Sequence, residues 1–586
     1  MAETDGERLD EIRRARLEWE EKTLAQAVER AGLDAAPDRF YTPGEIPDFD
    51  FLTKVGFPGQ YPFTAGAYAT VPYAAGGRGA GSIPQGKGFA RAGRYSGYGT
   101  AEDTAAYYRR MIDEGQRAGP NVAFDLPTQC GLDSDDPNAF GEVGRVGVAI
   151  DSFEDFRTVY DPFRGELEID RVGSNWTINA PATIIVAMYF LLGEERGVDV
   201  RTLRGTPQND ILKEFIARGT YIFPPRPSMR LVRDLFLFVT ERMPKFNVVS
   251  GGGYHMREAG ATREQDLAFS MANAMAYLRT GVEAGIEVDV LAPRMTFNAF
   301  GGSLELFQEV ALQRAARRMW ADIVRNRFGA KNPRSWILRQ PLGAHMGYYN
   351  ATVDRPINNL TRAVVGAIAS ALSGYGPVVE PPFDEALGLG WSREGMQLSE
   401  DAARILQYEA KLTGVRDPLA GSYYVESLTG AIEAAAWREI DKIEGMGGAV
   451  AAIEAGYMQE AVTQGALERA RALQTGERIV VGVNAFTGPD EVDVSVSRTA
   501  QTMYDPRQLE SAEERQRVKL ADLRRRRDGR AVTRTLRDLD RHAKDDHANL
   551  MPHIVECVRS LCTVGEICGV LKENFGEHGG AAFAPR

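Results

Sequence analysis

The sequence predicts an α/β fold, a closed (β/α)8 barrel with an N-terminal extension and a helical C-terminal region. Two observations carry this prediction. Between residues 100 and 414, short β-prone runs alternate with longer segments of helical periodicity. That alternation is typical of a parallel sheet whose strands are connected by helices, and the stretch has the length that an eight-stranded barrel usually occupies.

The chain begins with a charged segment whose apolar residues recur at roughly helical spacing over residues 7–32: Leu9, Ile12, Leu17, Leu24 and Val28. We expect residues 1–60 to form a helix and an extended arm that contact another subunit. Residues 74–93 are rich in glycine and have almost no large apolar side chain, so a loop is predicted there. We assign residues 61–415 to the barrel and 416–586 to the helical C-terminal region.

The barrel prediction depends on six β-prone runs and on the helical segments between them. The runs are residues 121–125, 172–178, 247–250, 294–299, 336–339 and 377–380. The helical segments are residues 101–118, 182–196, 228–242, 263–284, 304–328 and 357–372. Catalytic groups in such barrels lie at the C-terminal ends of the strands. Six polar residues fall at or just after predicted ends: Asp125, Asn179, Gln208, His255, Asn298 and Gln340.

Several candidate ligand-binding residues lie close together in the sequence, between residues 205 and 255. Asp210 is a suitable N-cap for a helix over residues 211–218, whose apolar residues repeat at helical spacing. Arg218 lies two turns along that helix, and His255 follows three consecutive glycines. An arginine, the amide of Gln208 and an imidazole suit a small anionic or carbonyl-bearing ligand. From the residues alone, the structural interpretation is favoured for each residue: Arg218 as an exposed helical charge and His255 as a satisfied structural histidine.

Composition excludes several classes of protein. A net charge of −12 argues against a nucleic-acid surface, and the basic run 524–527 is predicted to be a solvated helix face. No apolar run approaches the length of a membrane span, and the first residues lack a signal-peptide pattern. A cytoplasmic protein without membrane or nucleic-acid partners is therefore expected.

Cysteine usage agrees with a reducing compartment. Cys130 stands alone, whereas Cys557, Cys562 and Cys568 lie near His553 in a predicted helix. Their spacing matches no zinc or iron–sulfur pattern, so free thiols and no metal bound by this chain are expected.

Longer motifs extend the analysis beyond single residues. The chain contains YPFTAGAYAT (61–70), VAFDLPTQCGLDSDDP (122–137), GTPQNDILKEFIARGTYIFPPRPSMR (205–230), GYHMREAGAT (253–262) and DPLAGSYYVE (417–426). Together these segments resemble the large catalytic subunit of the adenosylcobalamin-dependent acyl-CoA mutases, the family of methylmalonyl-CoA, isobutyryl-CoA and 2-hydroxyisobutyryl-CoA mutases. The resemblance spans nearly the whole chain and implies a TIM barrel threaded by CoA.

The resemblance also implies a reaction. In this family a deoxyadenosyl radical from the cofactor takes hydrogen from the acyl group, a carbon-skeleton group migrates, and the hydrogen returns. The cofactor carries that chemistry, while the protein positions the substrate and excludes water.

By resemblance, three residues form the catalytic set. His255 hydrogen-bonds the thioester carbonyl, Arg218 holds the free carboxylate of a dicarboxylic acyl-CoA, and Tyr95 lies beside the reacting carbon. Arginine suits a carboxylate because its planar fork pairs with both oxygens. Together they favour methylmalonyl-CoA and succinyl-CoA as substrates.

Further residues are assigned to ligand contacts by the same resemblance. The substrate and CoA contacts are Tyr68, Thr70, Thr177, Thr206, Gln208, Arg294 and Thr296; those to the cofactor are Glu385 and Asp125. The threonines are also ordinary strand residues, and that alternative stays open.

Departures from the family pattern predict a partner. Full-length relatives end in a cobalamin-binding domain with an Asp-x-His-x-x-Gly loop. Residues 545–550, DDHANL, lack the glycine, and too little chain follows for such a domain. Adenosylcobalamin should therefore be bound mainly through a separate small cobalamin-binding subunit, with a heterotetramer of two large and two small subunits expected.

Other departures keep two alternatives open. The glycine-rich insertion 74–93 and the segments 338–347 and 377–386 differ from the family around the acyl and adenosyl groups. One alternative is a mutase for a neutral branched acyl-CoA of the isobutyryl, 2-hydroxyisobutyryl or pivalyl type. The other is a CoA-binding homologue without catalytic activity.

Overall fold

The N-terminal helix is followed by an arm that packs back on it. The structure, a computed structural model, describes residues 2–32, 34, 41–69, 95–113, 115, 117–340, 343–387, 392–488 and 506–579. Helices α1 (Ala2–Trp19) and α2 (Ala25–Ala31) are joined by one π-helical turn and confirm the predicted amphipathic segment. Arg16 of α1 pairs with Glu45 beyond the turn, and α3 (Phe51–Lys54) follows.

Short parallel strands form the centre of the molecule, as the alternation predicts. In chain order they are β1 (Tyr95–Ser96), β2 (Asn121–Ala123), β3 (Ser174–Thr177), β4 (Gly205–Pro207), β5 (Val249–Gly251) and β6 (Met295–Phe297). Strands β1 to β4 form one sheet in chain order, and β5 pairs with β6. In register, Val122 pairs with Trp176, and Ser250 pairs with Thr296. The fold is thus a mostly helical α/β fold.

Two of the predicted strands are wrong. Within the described residues, 336–339 and 377–380 contain no strand. Asn332 instead caps a 3₁₀ turn, Pro333–Trp336, and the second run leads into Pro381 and Pro382, which have no N–H for a sheet ladder. The described residues therefore supply six strands rather than eight. Conversely, β1 and β4 are too short for a periodicity to reveal them.

Helices cover the strands on the outside. The helices between residues 101 and 404 are α4 (Ala101–Asp113), α5 (Leu126–Gln129), α6 (Phe153–Tyr160), α7 (Ala182–Glu195), α8 (Ile211–Lys213), α9 (Pro225–Arg242), α10 (Tyr254–Ala259), α11 (Arg263–Glu283), α12 (Val288–Leu291), α13 (Leu306–Asp322), α14 (Asn358–Leu372) and α15 (Arg393–Arg404). Helix α7 is buried on every side from Ala182 to Gly193 because other helices also cover its outer face.

The C-terminal helices share one hydrophobic core with the strands and the helices around them. They are α16 (Tyr423–Gly445), α17 (Ala449–Glu454), α18 (Tyr457–Thr475), α19 (Pro506–Arg526), α20 (Gly529–Ala543), α21 (Met551–Arg559) and α22 (Val564–Phe575). One continuous hydrophobic cluster runs from Tyr98 to Leu571. Arg314 of α13, fully buried, pairs with Asp417 and Glu426, which joins α16 to the barrel helices.

The basic run 524–527 is only partly the solvated face that its charge predicts, because the Arg525 and Arg526 side chains are 75% and 48% exposed but that of Arg527 is 9% exposed. Arg524 binds Asp133 and Asp135, Arg526 pairs with Glu154, and Arg527 pairs with Glu566. These arginines attach the end of α19 to three other parts of the chain, because their acidic partners are far away in sequence. Among the described helices, none combines the length and apolar character needed to span a bilayer.

The start of α11 offers a test of helix capping next to the site. Thr262 and Gln265 form a capping box, with Gln265 N donating to Thr262 Oγ1 over 3.2 Å. Thr262→Ala is expected to lower the free energy of unfolding by about 1 kcal/mol, the usual cost of losing such a cap. Denaturant unfolding measures it. Thr262→Ser keeps the hydroxyl and should retain most of the stability; equal losses in both variants would contradict the capping role.

Candidate functional site

Buried polar side chains gather where β3, β4 and β5 end. Gln208 directly follows β4, with its N–H donating to Trp176 O over 2.8 Å and its carbonyl accepting from Ser250 N over 2.8 Å. Asn179, just beyond β3, donates to Gln208 Oε1 over 2.9 Å. Backbone bonds to both neighbouring strands therefore hold the Gln208 side chain in place.

A buried ion pair lies beside Gln208. Lys213 and Glu214 are fully buried and bonded to each other, and Lys213 Nζ donates to Gln208 Oε1 over 2.7 Å. Asn179 Nδ2 donates to Glu214 Oε1 over 2.7 Å, and Thr220 binds the other oxygen. Burial alone would raise the pKa of Glu214, but the charges of Lys213 and Arg218 hold it below its ordinary value. Sequence reasoning missed Lys213, because a lysine on a helix is usually exposed.

The helix that carries Arg218 differs from its prediction. Only α8 is α-helical; Glu214–Arg218 forms a π-helical turn that ends at Gly219 with φ 87°. Asp210 occupies the N-cap position, but its side chain makes no cap hydrogen bond. Instead its carboxylate accepts from Tyr277 Oη over 2.7 Å and from Gly252 N over 2.8 Å. Asp210 thus joins the helix of Arg218 to the glycines before His255.

The guanidinium group of Arg218 has a buried nitrogen that forms no hydrogen bond with the described residues. Its Nη1 lies 3.5 Å from Glu214 Oε1, and the side chain is 27% exposed. Within the described part of the chain, this buried Nη1 has no hydrogen-bond partner. Since buried guanidinium groups normally satisfy their donors, Arg218 is available to an anionic group of a ligand.

The imidazole of His255 likewise has a buried nitrogen that forms no hydrogen bond with the described residues. It lies in the first turn of α10, its ring centroid 3.9 Å from that of Tyr254, and its Nδ1 is buried without a hydrogen-bond partner among the described residues. Burial, followed by the charges of Lys213, Arg218 and His345, holds the pKa of His255 well below its ordinary 6.5. The imidazole is therefore neutral and can donate one N–H to a carbonyl oxygen.

Glycine is required next to this imidazole. A Cβ atom on Gly252 would lie 3.2 Å from His255 Nδ1, so any side chain there would crowd the ring. The next glycine has even less room, because a Cβ atom on Gly253 would lie 1.9 Å from Asp266 Oδ1.

Three rings, those of Tyr254, His345 and Tyr348, form an aromatic wall of the site that the sequence analysis did not predict. The rings of Tyr254 and His345 lie 5.7 Å apart, and those of His345 and Tyr348 lie 5.9 Å apart. Burial lowers the pKa of His345 to about 4, so this imidazole is neutral too. The scarcity of histidine was the available signal: before residue 542 the chain has only His255 and His345.

Glu385, a predicted cofactor contact, belongs to an acidic part of this wall. It begins the 3₁₀ turn Glu385–Leu387. Burial, and then the charges of Asp384 and Glu380, raise the pKa of Glu385 to about 7. Near neutral pH this carboxyl group is therefore partly protonated and can donate as well as accept hydrogen bonds.

Glu385 should make stability pH-dependent. The folded chain holds the proton up to about pH 7, whereas the unfolded chain loses it near 4.5, so stability falls as pH rises between those values and is level above them. The stability gain from Glu385→Gln should grow across this window. Unfolding temperatures measured at several pH values check it. The exposed Glu409→Gln is the control; the same trend in both would contradict the assignment.

Several other predicted ligand residues lie on the strands. Thr206 Oγ1 accepts from Asn247 Nδ2 over 2.7 Å, and Thr296 Oγ1 donates to Val249 O over 3.2 Å. Thr177 ends β3 opposite Ala123. These threonine contacts serve the sheet, so the strand interpretation stays open beside the ligand one.

Arg294 and Asp125 differ in whether all of their buried polar atoms form hydrogen bonds. Arg294 has a buried Nη1 with no hydrogen-bond partner in the described ranges. Asp125 is fully buried and accepts from Thr128 N over 2.9 Å and from Gly144 N over 2.8 Å. Arg294 thus keeps a donor for a ligand, whereas Asp125 uses both oxygens to hold loops.

The remaining predicted contacts are described only in part. Tyr68 is 39% exposed, and its carbonyl accepts from Arg416 Nη2 over 2.7 Å. Tyr95 contributes its backbone to β1, opposite Asn121, but its side chain lies outside the described residues. Thr70 and the insertion 74–93 lie outside them altogether.

Of the predicted site residues, the structure brings together His255, Arg218 and Gln208.

The comparisons with known proteins all match the same family. The sequence profile of the methylmalonyl-CoA mutase family matches residues 33–577. The methylmalonyl-CoA mutase of Escherichia coli K12 is 36% identical over 563 residues, covering 95% of this chain and 73% of that protein. That of Rhizobium meliloti is 37% identical over 549 residues, covering 93% and 72%. The methylmalonyl-CoA mutase large subunit of Streptomyces virginiae is 36% identical over 549 residues, covering 92% and 70%.

Proposed function

The chain belongs to the methylmalonyl-CoA mutase family and is an isomerase, and from this premise we propose that it is the large subunit of a two-component mutase that interconverts methylmalonyl-CoA and succinyl-CoA. The observation that carries the proposal is a pair of buried nitrogen atoms, on Arg218 and His255, that form no hydrogen bond with the described residues. A cation and a neutral imidazole at one site match a substrate with a carboxylate and a thioester carbonyl.

Arg218 would bind the free carboxylate of the acyl group. Its charge is only partly balanced, because Glu214 already pairs closely with Lys213 and lies 3.5 Å from Arg218 Nη1. A substrate carboxylate would complete the balance, with the guanidinium fork donating to both oxygens. Arg218 thus favours a carboxylated substrate over a neutral one.

His255 would donate from Nδ1 to the thioester carbonyl oxygen. Its depressed pKa means that the group stays neutral and keeps this role through the physiological pH range. A fixed donor at that oxygen stabilises charge that develops there during rearrangement. Gln208, held by Asn179 and Lys213, borders the same space and would restrict how the acyl group lies.

The aromatic wall formed by Tyr254, His345 and Tyr348 would accept the adenosyl part of the cofactor. Adenosylcobalamin, when bound, supplies the radical chemistry of the family. The residues present fit such a group: Tyr254, His345 and Tyr348 offer aromatic faces, and Glu385 can donate or accept at a ribose hydroxyl.

The closed (β/α)8 barrel is part of this proposal. Backbone hydrogen bonds continue between the two sheets, from Asn247 N to Gly205 O over 2.9 Å, and past β6, from Phe297 N to Arg339 O over 2.8 Å. This succession supports a barrel with the site at the C-terminal ends of its strands.

A small cobalamin-binding subunit is the proposed partner, in an assembly of two large and two small subunits. The name of the Streptomyces virginiae relative, a large subunit, supports a division of this kind. Four free cysteines suit a reducing compartment and support a cytoplasmic location.

The test combines the purified chain, the small subunit and adenosylcobalamin with a set of acyl-CoA esters. Methylmalonyl-, ethylmalonyl-, isobutyryl-, 2-hydroxyisobutyryl- and pivalyl-CoA are incubated separately, and isomerised products are identified by mass spectrometry. Conversion of methylmalonyl-CoA to succinyl-CoA is expected. Conversion of neutral esters alone would overturn the role of Arg218. Binding of CoA esters without any conversion would instead indicate a catalytically silent homologue.

A further inference from the structure

Two imidazoles and a carboxylate meet on the outer helices of the C-terminal region. Asp538 and His542 are four residues apart on α20 and so share one face, and His553 comes from α21. His553 Nδ1 lies 2.6 Å from Asp538 Oδ2, and His542 Nδ1 lies 3.6 Å from Asp538 Oδ1. One donor atom from each residue lies within 4.8 Å of the others.

The two imidazoles are unusually close for side chains at a helix surface. Their ring centroids are 3.7 Å apart and the rings are within 16° of parallel. All three side chains are partly exposed, between 24% and 36%, so an ion can reach them from solvent. Such an arrangement presents nitrogen and oxygen donors to one small volume, with room for water beside them.

We propose that Asp538, His542 and His553 bind one divalent transition-metal ion of the Zn²⁺ class. Two imidazoles and one carboxylate suit zinc and its neighbours, whereas calcium and magnesium require oxygen ligands. Three protein ligands leave one position of a tetrahedral site for water. Neither the cysteine spacing nor the family resemblance points to this site, because its ligands come from two helices and include no cysteine.

One cation already competes for the carboxylate. Arg541 pairs with Asp538 from three residues away, but its side chain is 72% exposed. Exposed pairs of this kind contribute little stability, so Arg541 can turn into solvent when a metal ion binds. The metal would replace two hydrogen bonds, from His553 Nδ1 to the Asp538 carboxylate and from His542 Nδ1 to the Asp538 backbone carbonyl over 2.8 Å, with bonds from the three side chains to the ion.

The ion would hold α20 and α21 together on either side of their connection, residues 544–550. The end of α20 and the connection are already attached to α9: Arg230 donates to His542 O over 3.1 Å and to Ala543 O over 2.7 Å, and Arg233 donates to Asp546 O over 2.9 Å. A metal clip would therefore stabilise the attachment of the C-terminal helices to α9. The site is separate from Arg218 and His255.

The experiment uses the full chain, stripped of metal with a chelator and then freed of the chelator. Zn²⁺ is titrated by calorimetry, and Co²⁺ binding is followed by visible absorption, which is intense for tetrahedral coordination. One equivalent should bind. His542→Ala and His553→Ala should each weaken Zn²⁺ binding at least about tenfold, since even loss of a partner behind the ligands costs that much.

His547→Ala is the matched control, because His547 is exposed on the connection between the same helices. It should bind Zn²⁺ like the unmodified chain. Asp538→Asn removes a charge while keeping the shape, so it tests the ligand role even if the histidine variants fold poorly. Zn²⁺ should raise the unfolding temperature of the unmodified chain and of His547→Ala only. Absence of stoichiometric binding, or equal affinity in all variants, would overturn the proposal.

Discussion

His255→Ala is expected to lower kcat by about 100- to 1000-fold, the usual loss when one preorganised donor to a developing charge is removed. The structure supports a large effect because Nδ1 is buried and has no other partner among the described side chains. Alanine leaves a space that water can fill only with a poorly oriented donor. KM should change less than kcat, since the donor acts mainly on the rearranging state.

Steady-state kinetics of methylmalonyl-CoA conversion with saturating small subunit and cofactor measure this loss. His547→Ala, an exposed histidine far along the chain, should leave kcat unchanged. Thermal unfolding of both variants shows whether the fold survives. A His255→Ala enzyme within a few-fold of the unmodified rate would show that another group holds the carbonyl.

The pH profile gives an independent readout of the same residue. Burial and the nearby positive charges hold the pKa of His255 well below 6.5, so it does not gain a proton between pH 6 and 8. No fall in kcat/KM over that range should therefore be traceable to His255, and the profile of the weak His255→Ala activity should keep the same shape.

Arg218→Gln is the second large effect, with kcat/KM for methylmalonyl-CoA expected to fall about 100-fold or more. Truncating one partner of a buried, hydrogen-bonded charge pair costs about 2–5 kcal/mol, and each 1.36 kcal/mol is about tenfold. The fold should survive, because Glu214 remains paired with Lys213 when the arginine is removed.

Two further variants sharpen the Arg218 test. Arg218→Lys keeps the charge but loses the planar fork, so it should recover only part of the activity. Arg226→Gln, at a surface arginine with a side chain 72% exposed, should have no effect. If Arg218→Gln still converts methylmalonyl-CoA well, the carboxylate is bound elsewhere. Arg294, whose buried Nη1 forms no hydrogen bond with the described residues, would then be the next residue to change.

The long helices could be predicted because their evidence is local. The segment 263–284 has apolar residues at helical spacing and a capping pattern at Thr262, and it forms α11 from Arg263 to Glu283. The strands were harder. Those of two to four residues contain barely one period of alternation, so β1 and β4 were missed and 336–339 was wrongly predicted.

The sequence by itself determined the alternating architecture and the family, and it predicted His255 and Arg218 as the two central residues of the site. Only the tertiary structure decided what surrounds them. Asp210 became a partner of Tyr277 and Gly252 rather than a helix cap, and Lys213 became a buried ion rather than a surface charge. The physical reason is that periodicity and capping act within a few residues. By contrast, a buried polar group must find whichever partner folding brings near it, however distant in sequence.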